Sequence, residues 1–483
     1  MGKGMPYRVD MNADYMLCNA FSREIPRITR SLIEWLEELP KYELDEWELS
    51  SHELSPSAFY PHLLIGEFLS DEFSKLCELL KKQGHQITVK MSEHVVDLIG
   101  SENGSTNVTT EGGVYEFDHV IIASGHSWPT KPKIDGADLI SPWPYTNVTA
   151  LRPSNIAILG SSLSAIDIVI ALGNAHGTFS NQNGEIIWKP NDGVSNVQIT
   201  MLSKMGIMPE GDFYYPYPYL PLEIFSTEAV TAEIEKGDDG LLERLFKLFY
   251  QQLEKSDLAY LVSLGTTAET IKGFSEVYFK SRQEMGGLKA VKADFVKVRQ
   301  SMREKRTIAY RYVLLRAHEN FDFALRRLNP EDWKSFSEFL VPVFSDIYAA
   351  VPHLSLAHII AMFNAGLLNP KATGTDADFT NNSHHGVTIT TGDEILNFDV
   401  MVDARGQASA FLDKLPFPSL LKIISDNDEP LEAPFKIETS LGKQTSVNCL
   451  ALPQILQRHP FSQGLANCAE NGKIVASDVL KQL

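Results

Sequence analysis

The stretch NIAILGSSLSA, residues 155–165, decides the fold. After Asn155 its first residues are apolar without interruption, which is typical of a strand buried on both faces of a sheet. Gly160 follows at once and permits a tight turn, and the apolar run Ile166–Leu172 continues as a helix. A strand, a glycine turn and a helix in direct succession predict part of a parallel α/β sheet.

The turn departs at one position from the pattern that binds dinucleotides. That pattern is Gly-x-Gly-x-x-Gly/Ala, whereas residues 160–165 read Gly-x-Ser-x-x-Ala. Ser162 and Ser164 are small, and their hydroxyls can donate to a phosphate held at a helix N-terminus. Ala165 allows the helix to lie close to the strand. Two interpretations stay open: a dinucleotide-binding turn, or a turn that is only structural.

The end of the next predicted strand bears on the choice of nicotinamide coenzyme. Val197–Leu202 is followed by Ser203 and Lys204, with no acidic residue. An Asp or Glu there suits the ribose hydroxyl of NAD, whereas a cation suits the 2′-phosphate of NADP. The sequence therefore favours NADPH over NADH.

A repeat without gaps links two distant parts of the chain. Residues 108–125 read VTTEGGVYEFDHVIIASG, and residues 389–406 read ITTGDEILNFDVMVDARG. Each copy predicts a hairpin, a Phe-Asp pair and an apolar strand that ends in Ala-x-Gly. The copies are either a coincidence between two ordinary hairpins or two strand ends of related nucleotide-binding layers, where ligands lie beyond the carboxyl ends of strands.

Other segments show clear periodicity or turn signals. The helical spacing over 61–80 predicts a helix, which Gly84 terminates, and residues 120–123 predict a fully buried strand. We also expect a surface insertion over 173–196, an all-helical region over 226–368 and a last helix over 466–480. Asn103-Gly104 and Gly112-Gly113 predict hairpin turns.

Composition excludes several classes of protein. The 483 residues are 43% hydrophobic and 22% charged, which excludes intrinsic disorder. The formal net charge of −19 argues against nucleic-acid and anionic-lipid partners. No apolar run approaches the roughly 18 to 20 residues of a membrane helix, and residues 1–15 lack a signal peptide's apolar stretch. The four cysteines have no C-x-x-C spacing, so we expect a cytoplasmic protein without a metal site.

Seven short segments together resemble the bacterial YdhS-type FAD/NAD(P)-binding proteins, and the similarity runs from residue 2 to near the C-terminus. They are residues 4–7 (GMPY), 141–143 (SPW), 160–164 (GSSLS), 212–214 (DFY), 311–312 (RY), 403–407 (DARGQ) and 463–465 (QGL). The wider group includes flavin-dependent monooxygenases such as a urate hydroxylase and an aspartate N-oxidising enzyme.

The resemblance implies an α/β fold with two dinucleotide-binding, Rossmann-like domains of the FAD/NAD(P)-binding type and a helical insertion. Residues 1–150 and 370–483 would form a discontinuous FAD-binding domain, 151–225 the NAD(P)-binding domain and 226–369 the helical region. The cofactors would be FAD and NADPH.

The resemblance also implies roles for individual residues. Ala123 and Gly125 would lie at a strand end of the flavin domain, Asp403 and Gly406 on a later strand that flanks the flavin, and Gly464 at the start of a helix that points toward it. Gly160, Ser161, Ser162 and Ser164 would hold the NADPH diphosphate, with Ser203 and Lys204 nearby. His126 follows Gly125, and it either lines the flavin or serves as a structural loop histidine.

The N-terminus departs from the family pattern. Members carry a strand, a true Gly-x-Gly-x-x-Gly turn, a helix and a second strand before the segment that matches Gly4–Tyr7. This sequence opens at Met1, just after that point. We weigh two explanations: a start codon assigned too far downstream, or a decayed paralogue.

The function implied by the resemblance is an FAD- and NADPH-dependent oxidoreductase, as a monooxygenase acting on a small polar substrate. Two alternatives stay open: an NADPH-dependent flavin reductase without oxygenation, and a truncated pseudoenzyme that acts as a binding protein. No catalytic residue is assigned. The helical region is the natural place for substrate selection, and Arg311, Arg316 and His318 there indicate either a carboxylate-binding site or a solvated or salt-bridged face.

Overall fold

The computed structural model describes residues 1–101, 104–382, 386–392, 394–424, 430–440 and 446–482. The chain forms two compact units. The first unit contains Met1–Arg8, Ala20–Ser127 and Gln407–Leu483, and the second contains Val9–Asn19 and Trp128–Gly406. The expected mixed α/β fold class with a helical insertion is confirmed.

The first unit combines a long helix with two small sheets. Its strands are Val95–Gly100, Thr106–Thr110, Gly113–Phe117, Val120–Ile122 and Val447–Cys449. Its α-helices are Leu32–Glu38, Lys41–Glu46, His62–Lys82, Pro418–Leu421, Leu452–Ile455 and Leu465–Gln482, and short 3-10 turns lie at Met5–Tyr7, Ser22–Glu24 and Leu412–Lys414.

The helix expected over 61–80 is confirmed as His62–Lys82, and Gly84 follows it with a φ of 94°. Its buried Glu72 accepts hydrogen bonds from the amides of Thr29 and Arg30 and from the Arg30 guanidinium. The helix is thereby tied to the segment before Leu32–Glu38.

The strand expected over residues 120–123 is buried on one face only, and not on both faces as predicted. Val120–Ile122 pairs in parallel with Val447–Cys449, but the Ile121 side chain is 47% exposed. Side chains alternate along a strand, so Ile122 enters the apolar core of the first unit while Ile121 points to a face that this unit leaves uncovered.

The second unit contains the larger sheet and most of the helices. Its strands are Lys133–Ile134, Ala137–Asp138, Asn155–Leu159, Gly177–Gln182, Glu185–Pro190, Gln198–Ser203, Leu368–Ala372, Asp378–Asn381, Val387–Thr391, Glu394–Phe398 and Val400–Asp403. Its α-helices are Thr146–Thr149, Leu163–His176, Thr227–Glu235, Leu241–Ser256, Leu258–Leu264, Ile271–Met285, Gly287–Glu304, Ala309–Ala324, Pro330–Ser335, Val341–Tyr348 and His353–Asn364. Two 3-10 turns, Thr266–Glu269 and Leu325–Arg327, and a π-helical turn at Phe336–Leu340 join them.

Four parallel strands form the central sheet of the second unit. Their order is Leu368–Ala372, Gln198–Ser203, Asn155–Leu159 and Val400–Asp403. Ile156, Ala157 and Ile158 are fully buried, as the apolar run predicts. The shared register brings the carboxyl ends of all four strands to one edge, where ligands bind in open α/β sheets.

Residues 173–196 are not simply a surface insertion. Gly177–Gln182 and Glu185–Pro190 form an antiparallel hairpin. Trp188 is 6% exposed, and its indole N–H donates to the carbonyl of Gly173 at 2.9 Å. The hairpin therefore contributes to the core. The sequence did not indicate this, because the many Asn and Gly residues of the segment are typical of a surface loop.

The sequence repeat corresponds to one structural arrangement that occurs in both units. In each copy a three-stranded antiparallel sheet is followed by a strand that pairs in parallel with another segment. Both copies end in a glycine with positive φ, 71° at Gly125 and 95° at Gly406. Asn103, part of one expected turn, lies outside the described residues, as does Asp393 in the second copy.

The region expected to be all-helical is confirmed from Thr227 to Asn364, apart from its connecting turns. Phe249 lies at its centre, and four phenylalanines pack edge to face against it: Phe225, Phe274, Phe321 and Phe344. Among the helices of the described ranges, none is both long and apolar enough to span a bilayer.

Candidate dinucleotide-binding site

The turn after Leu159 places backbone against backbone. Gly160 has a φ of 131°, and a Cβ atom there would lie 2.4 Å from the carbonyl oxygen of Ala404. The Gly160 amide donates to Leu202 at 2.8 Å, and the Ala404 amide donates to Leu159 at 2.8 Å. Three neighbouring strand ends thus meet at a position that only glycine fits without displacement.

The helix that follows the turn begins with free backbone donors. Leu163–His176 starts after Ser162, whose side chain makes no capping hydrogen bond. The amides of residues 163–165 find no acceptor within the described part of the chain. Ser161 and Ser164 are half-buried beside them, and Ser162 is exposed. Open amides at a helix N-terminus are the usual donors to a phosphate.

Ser203 and Lys204 lie at the same sheet edge as Gly160. The Ser203 hydroxyl accepts from the Gly206 amide at 3.1 Å, which shapes the turn after the strand. Lys204 is exposed, and its ammonium group has no hydrogen-bond or ion-pair partner among the residues that the structure describes. The lysine is therefore available to an anionic group.

Asp403 and Gly406 also belong to the second unit, because Val400–Asp403 pairs with Asn155–Leu159. The Asp403 carboxylate receives two hydrogen bonds from the Arg405 guanidinium, both at 2.8 Å. No atom lies within 4 Å of a Cβ built on Gly406. Asp403 thus fixes Arg405, while the backbone at Gly406 stays open.

Asp167 lies on the helix Leu163–His176, behind the turn. Burial raises the pKa of its carboxyl to about 8. Its value in the unfolded chain is about 4, so the folded state holds a proton that the unfolded state releases between these pH values. The contribution of Asp167 to stability is therefore complete below about pH 4 and is lost as the pH rises to about 8.

Asp167→Asn removes this titration. We expect the free energy of unfolding of the variant, relative to the natural chain, to increase from pH 5 to pH 8 by at most about 1.4 kcal/mol per pH unit. Urea unfolding at several pH values measures it, and exposed Asp192 changed to Asn is the matched control. A constant difference across this range would show that Asp167 does not titrate there.

The candidate residues of the first unit lie at a second strand edge. Ala123 follows Val120–Ile122 and is exposed, and no atom lies within 4 Å of a Cβ built on Gly125. The Gly125 carbonyl accepts from the Leu452 amide at 3.1 Å. Burial lowers the pKa of His126 to about 4, so its ring is neutral at physiological pH.

Gly464 immediately precedes the helix Leu465–Gln482. Its carbonyl accepts from the Cys468 amide at 3.0 Å, which is the first hydrogen bond of that helix. The Asn467 side chain donates to the Phe461 carbonyl at 2.9 Å and holds the preceding loop. The structure thus places Ala123, Gly125, His126 and Gly464 in the first unit, and the remaining candidates in the second.

Sequence reasoning missed one contact and left the role of one candidate residue open. Ser127 and Gln407, where the chain leaves and re-enters the first unit, exchange two hydrogen bonds of 2.8 and 2.9 Å. Arg311 is fully buried in the helical region and pairs with Asp294. The sequence singled out Arg311 with two interpretations, a carboxylate-binding site or a solvated or salt-bridged face. It indicated neither the full burial of Arg311 nor its partners, because these lie far away in the sequence.

Comparison with known proteins decides the family. Residues 226–348 match the family described as the YdhS-like middle domain. The whole chain is 33% identical to YdhS of Escherichia coli K12 over 485 residues, which covers 99% of this chain and 91% of that protein. The chain belongs to the YdhS family.

Residues 1–127 of this YdhS family member match a family described as FAD-NAD(P)-binding. Structures similar to this chain include an ornithine N-hydroxylase of Kutzneria sp. 744. The TM-score is 0.44 and the sequence identity is 12%, and the match covers 96% of this chain and 88% of that chain. L-Lysine 6-monooxygenase of Pseudomonas syringae gives a TM-score of 0.48 and 13% identity over 96% and 86% of the two chains.

Proposed function

We propose that this YdhS family member is an FAD- and NADPH-dependent oxidoreductase that acts as a monooxygenase on a small polar substrate. The FAD-NAD(P)-binding match over residues 1–127 supports the flavin part. The four cysteines are free thiols, which is typical of a reducing compartment and supports a cytoplasmic location. The observation that carries the nicotinamide part is the turn at Gly160.

The residues at the turn fit a dinucleotide diphosphate. The backbone of Gly160 lies against Ala404 without a side chain between them, and the amides of residues 163–165 point from the helix N-terminus without acceptors in the described chain. The hydroxyls of Ser162 and Ser164 add donors at the same place. Together these groups bind and orient two phosphates through backbone amides and the helix dipole.

The strand edge of the first unit fits a flat group in the same way. The space beside the Cα atom of Gly125 is open, and Ala123 is exposed. His126 offers a neutral ring with one donor and one acceptor nitrogen. A bound flavin supplies the electron chemistry, and the protein supplies position and exclusion of water. Ala123, Gly125 and His126 would hold and orient the flavin ring.

The coenzyme preference gives a direct test. Lys204→Met keeps the length of the side chain and removes its charge, so we expect NADPH binding to weaken about 10-fold to 100-fold, because a hydrogen bond to a charged group contributes about 1.5–3 kcal/mol. NADH has no 2′-phosphate, and its affinity should not change. Titration of coenzyme fluorescence measures both constants.

Lys189→Met is the matched control, because Lys189 is an exposed lysine on the hairpin of the same unit. It should leave both affinities unchanged. Equal affinity of the natural chain for NADPH and NADH, unaltered by Lys204→Met, would overturn the assignment of NADPH.

A further inference from the structure

Arg405 is the first exposed residue after the strand Val400–Asp403. Asp403, the last residue of that strand, pairs in register with Leu159, the last residue of the neighbouring strand. The backbone nitrogen of Arg405 lies 3.2 Å from a Cβ atom built on Gly160. Both residues belong to the second unit. Arg405 therefore leaves the sheet directly beside the Gly160 turn.

The Arg405 side chain is oriented by one carboxylate and is otherwise accessible. Its Nε and Nη2 atoms donate to the two oxygens of Asp403, each at 2.8 Å. A guanidinium has five N–H donors, so three remain, and Nη1 has no acceptor among the residues that the structure describes. The charge of Asp135 also acts on the guanidinium, but Asp135 forms no ion pair with it. The Arg405 side chain is 46% exposed.

The ion pair between Asp403 and Arg405 contributes little to the fold. The two residues are two positions apart in the chain, so the pair joins no second helix or strand. Ion pairs with an exposed member also contribute little to the free energy of unfolding. The consequence of the pair is that it holds a charged, planar group at the carboxyl edge of the sheet.

The strand order places Arg405 opposite Lys204. The strand that ends at Leu159 lies between the strand that Lys204 follows and the strand that Arg405 follows. Neighbouring strands are about 4.8 Å apart, so one cation lies on each side of the Gly160 turn. NADPH carries two separate anionic groups, the 2′-phosphate and the diphosphate. With Lys204 at the 2′-phosphate, Arg405 is the cation that remains for the diphosphate.

We propose that the Arg405 guanidinium binds the diphosphate of the nicotinamide coenzyme, together with the amides at the start of the helix Leu163–His176. This inference rests on the proposed coenzyme site at Gly160. Arginine suits this role because its planar group donates two parallel hydrogen bonds to a phosphate. NADPH and NADH share the diphosphate, so Arg405 contributes affinity for both coenzymes, whereas Lys204 distinguishes between them.

Titration of coenzyme fluorescence with the full-length protein tests the proposal. We expect Arg405→Met to raise the Kd of NADPH and the Kd of NADH by the same factor, about 10-fold to 100-fold, because charge-assisted hydrogen bonds are lost. Lys204→Met should raise the Kd of NADPH alone. Arg405→Lys keeps the charge but loses the planar pair of donors, so both Kd values should rise by a smaller common factor.

Arg152→Met is the matched control. Arg152 is exposed and precedes the strand Asn155–Leu159, so it lies at the amino edge of the same sheet, and its replacement should leave both Kd values unchanged. The unfolding temperature of Arg405→Met without coenzyme should equal that of the natural chain, which separates loss of binding from loss of the fold. If Arg405→Met does not fold, the common rise expected for Arg405→Lys decides.

Two results would overturn the role of Arg405 and leave the coenzyme site in place. Unchanged Kd values in Arg405→Met would show that the guanidinium does not bind the coenzyme. A rise for NADPH alone would place Arg405 at the 2′-phosphate. If the natural chain bound neither coenzyme, the nicotinamide part of the proposed function would fail, and the role of Arg405 with it.

Discussion

Gly160→Ala should lower the free energy of unfolding by about 2–4 kcal/mol and abolish NADPH binding. The new methyl group would lie 2.4 Å from the Ala404 carbonyl oxygen and 2.7 Å from its carbon. Neither strand can withdraw easily, because Ala404 and Gly160 each donate a hydrogen bond to a neighbouring strand end. The turn must therefore move, and its amides with it. Urea unfolding and titration of coenzyme fluorescence measure the two effects.

Gly184→Ala separates the clash from the backbone conformation. Gly184 lies in the turn of the hairpin with a φ of 87°, and no atom lies within 4 Å of a Cβ built on it. The control therefore carries the cost of positive φ alone, about 1 kcal/mol. Equal destabilisation by the two variants would mean that the contact between Gly160 and Ala404 contributes nothing.

Arg311→Met should lower the free energy of unfolding by about 3–5 kcal/mol, the usual cost of removing one partner of a buried ion pair. The guanidinium is fully buried, and its loss leaves Asp294 and Glu210 without their main compensating charge. Methionine fills most of the volume, so the effect reports charge more than packing. Urea unfolding at neutral pH measures it.

Arg316→Met, on the same helix, is the matched control for this substitution. Arg316 pairs with partly exposed Glu319 and lies over the ring of Tyr219 at 4.1 Å. The Arg316 side chain is 18% exposed and that of Glu319 is 47% exposed, and an ion pair with an exposed partner contributes about 0–1 kcal/mol. If the two variants were equally stable, Arg311 would not be compensating buried carboxylates.

Local patterns in the sequence were sufficient for the elements around the turn. The apolar run ending at Leu159 predicts a buried strand, and Gly160 predicts the close approach that follows, because each signal depends on neighbours in sequence. The repeated Phe-Asp and Ala-x-Gly patterns likewise predict matching hairpins and strand ends in two places. These features are present in the structure.

Long-range pairings could not be predicted in this way. Nothing in Val400–Asp403 indicates that it lies beside Asn155–Leu159, since parallel strands leave no local signature of their partners. The same limit applies to Arg311, whose partners lie on a loop and on another helix. The positions of both depend on contacts between residues far apart in the chain.

The visible spectrum tests most directly whether this YdhS family member is an NADPH-dependent flavoprotein. The protein is incubated with FAD, freed of unbound flavin and examined without oxygen before and after NADPH is added. We expect a flavin band near about 450 nm that NADPH bleaches. A protein that stays colourless after incubation with FAD, or a bound flavin that NADPH leaves oxidised, would contradict the proposed function.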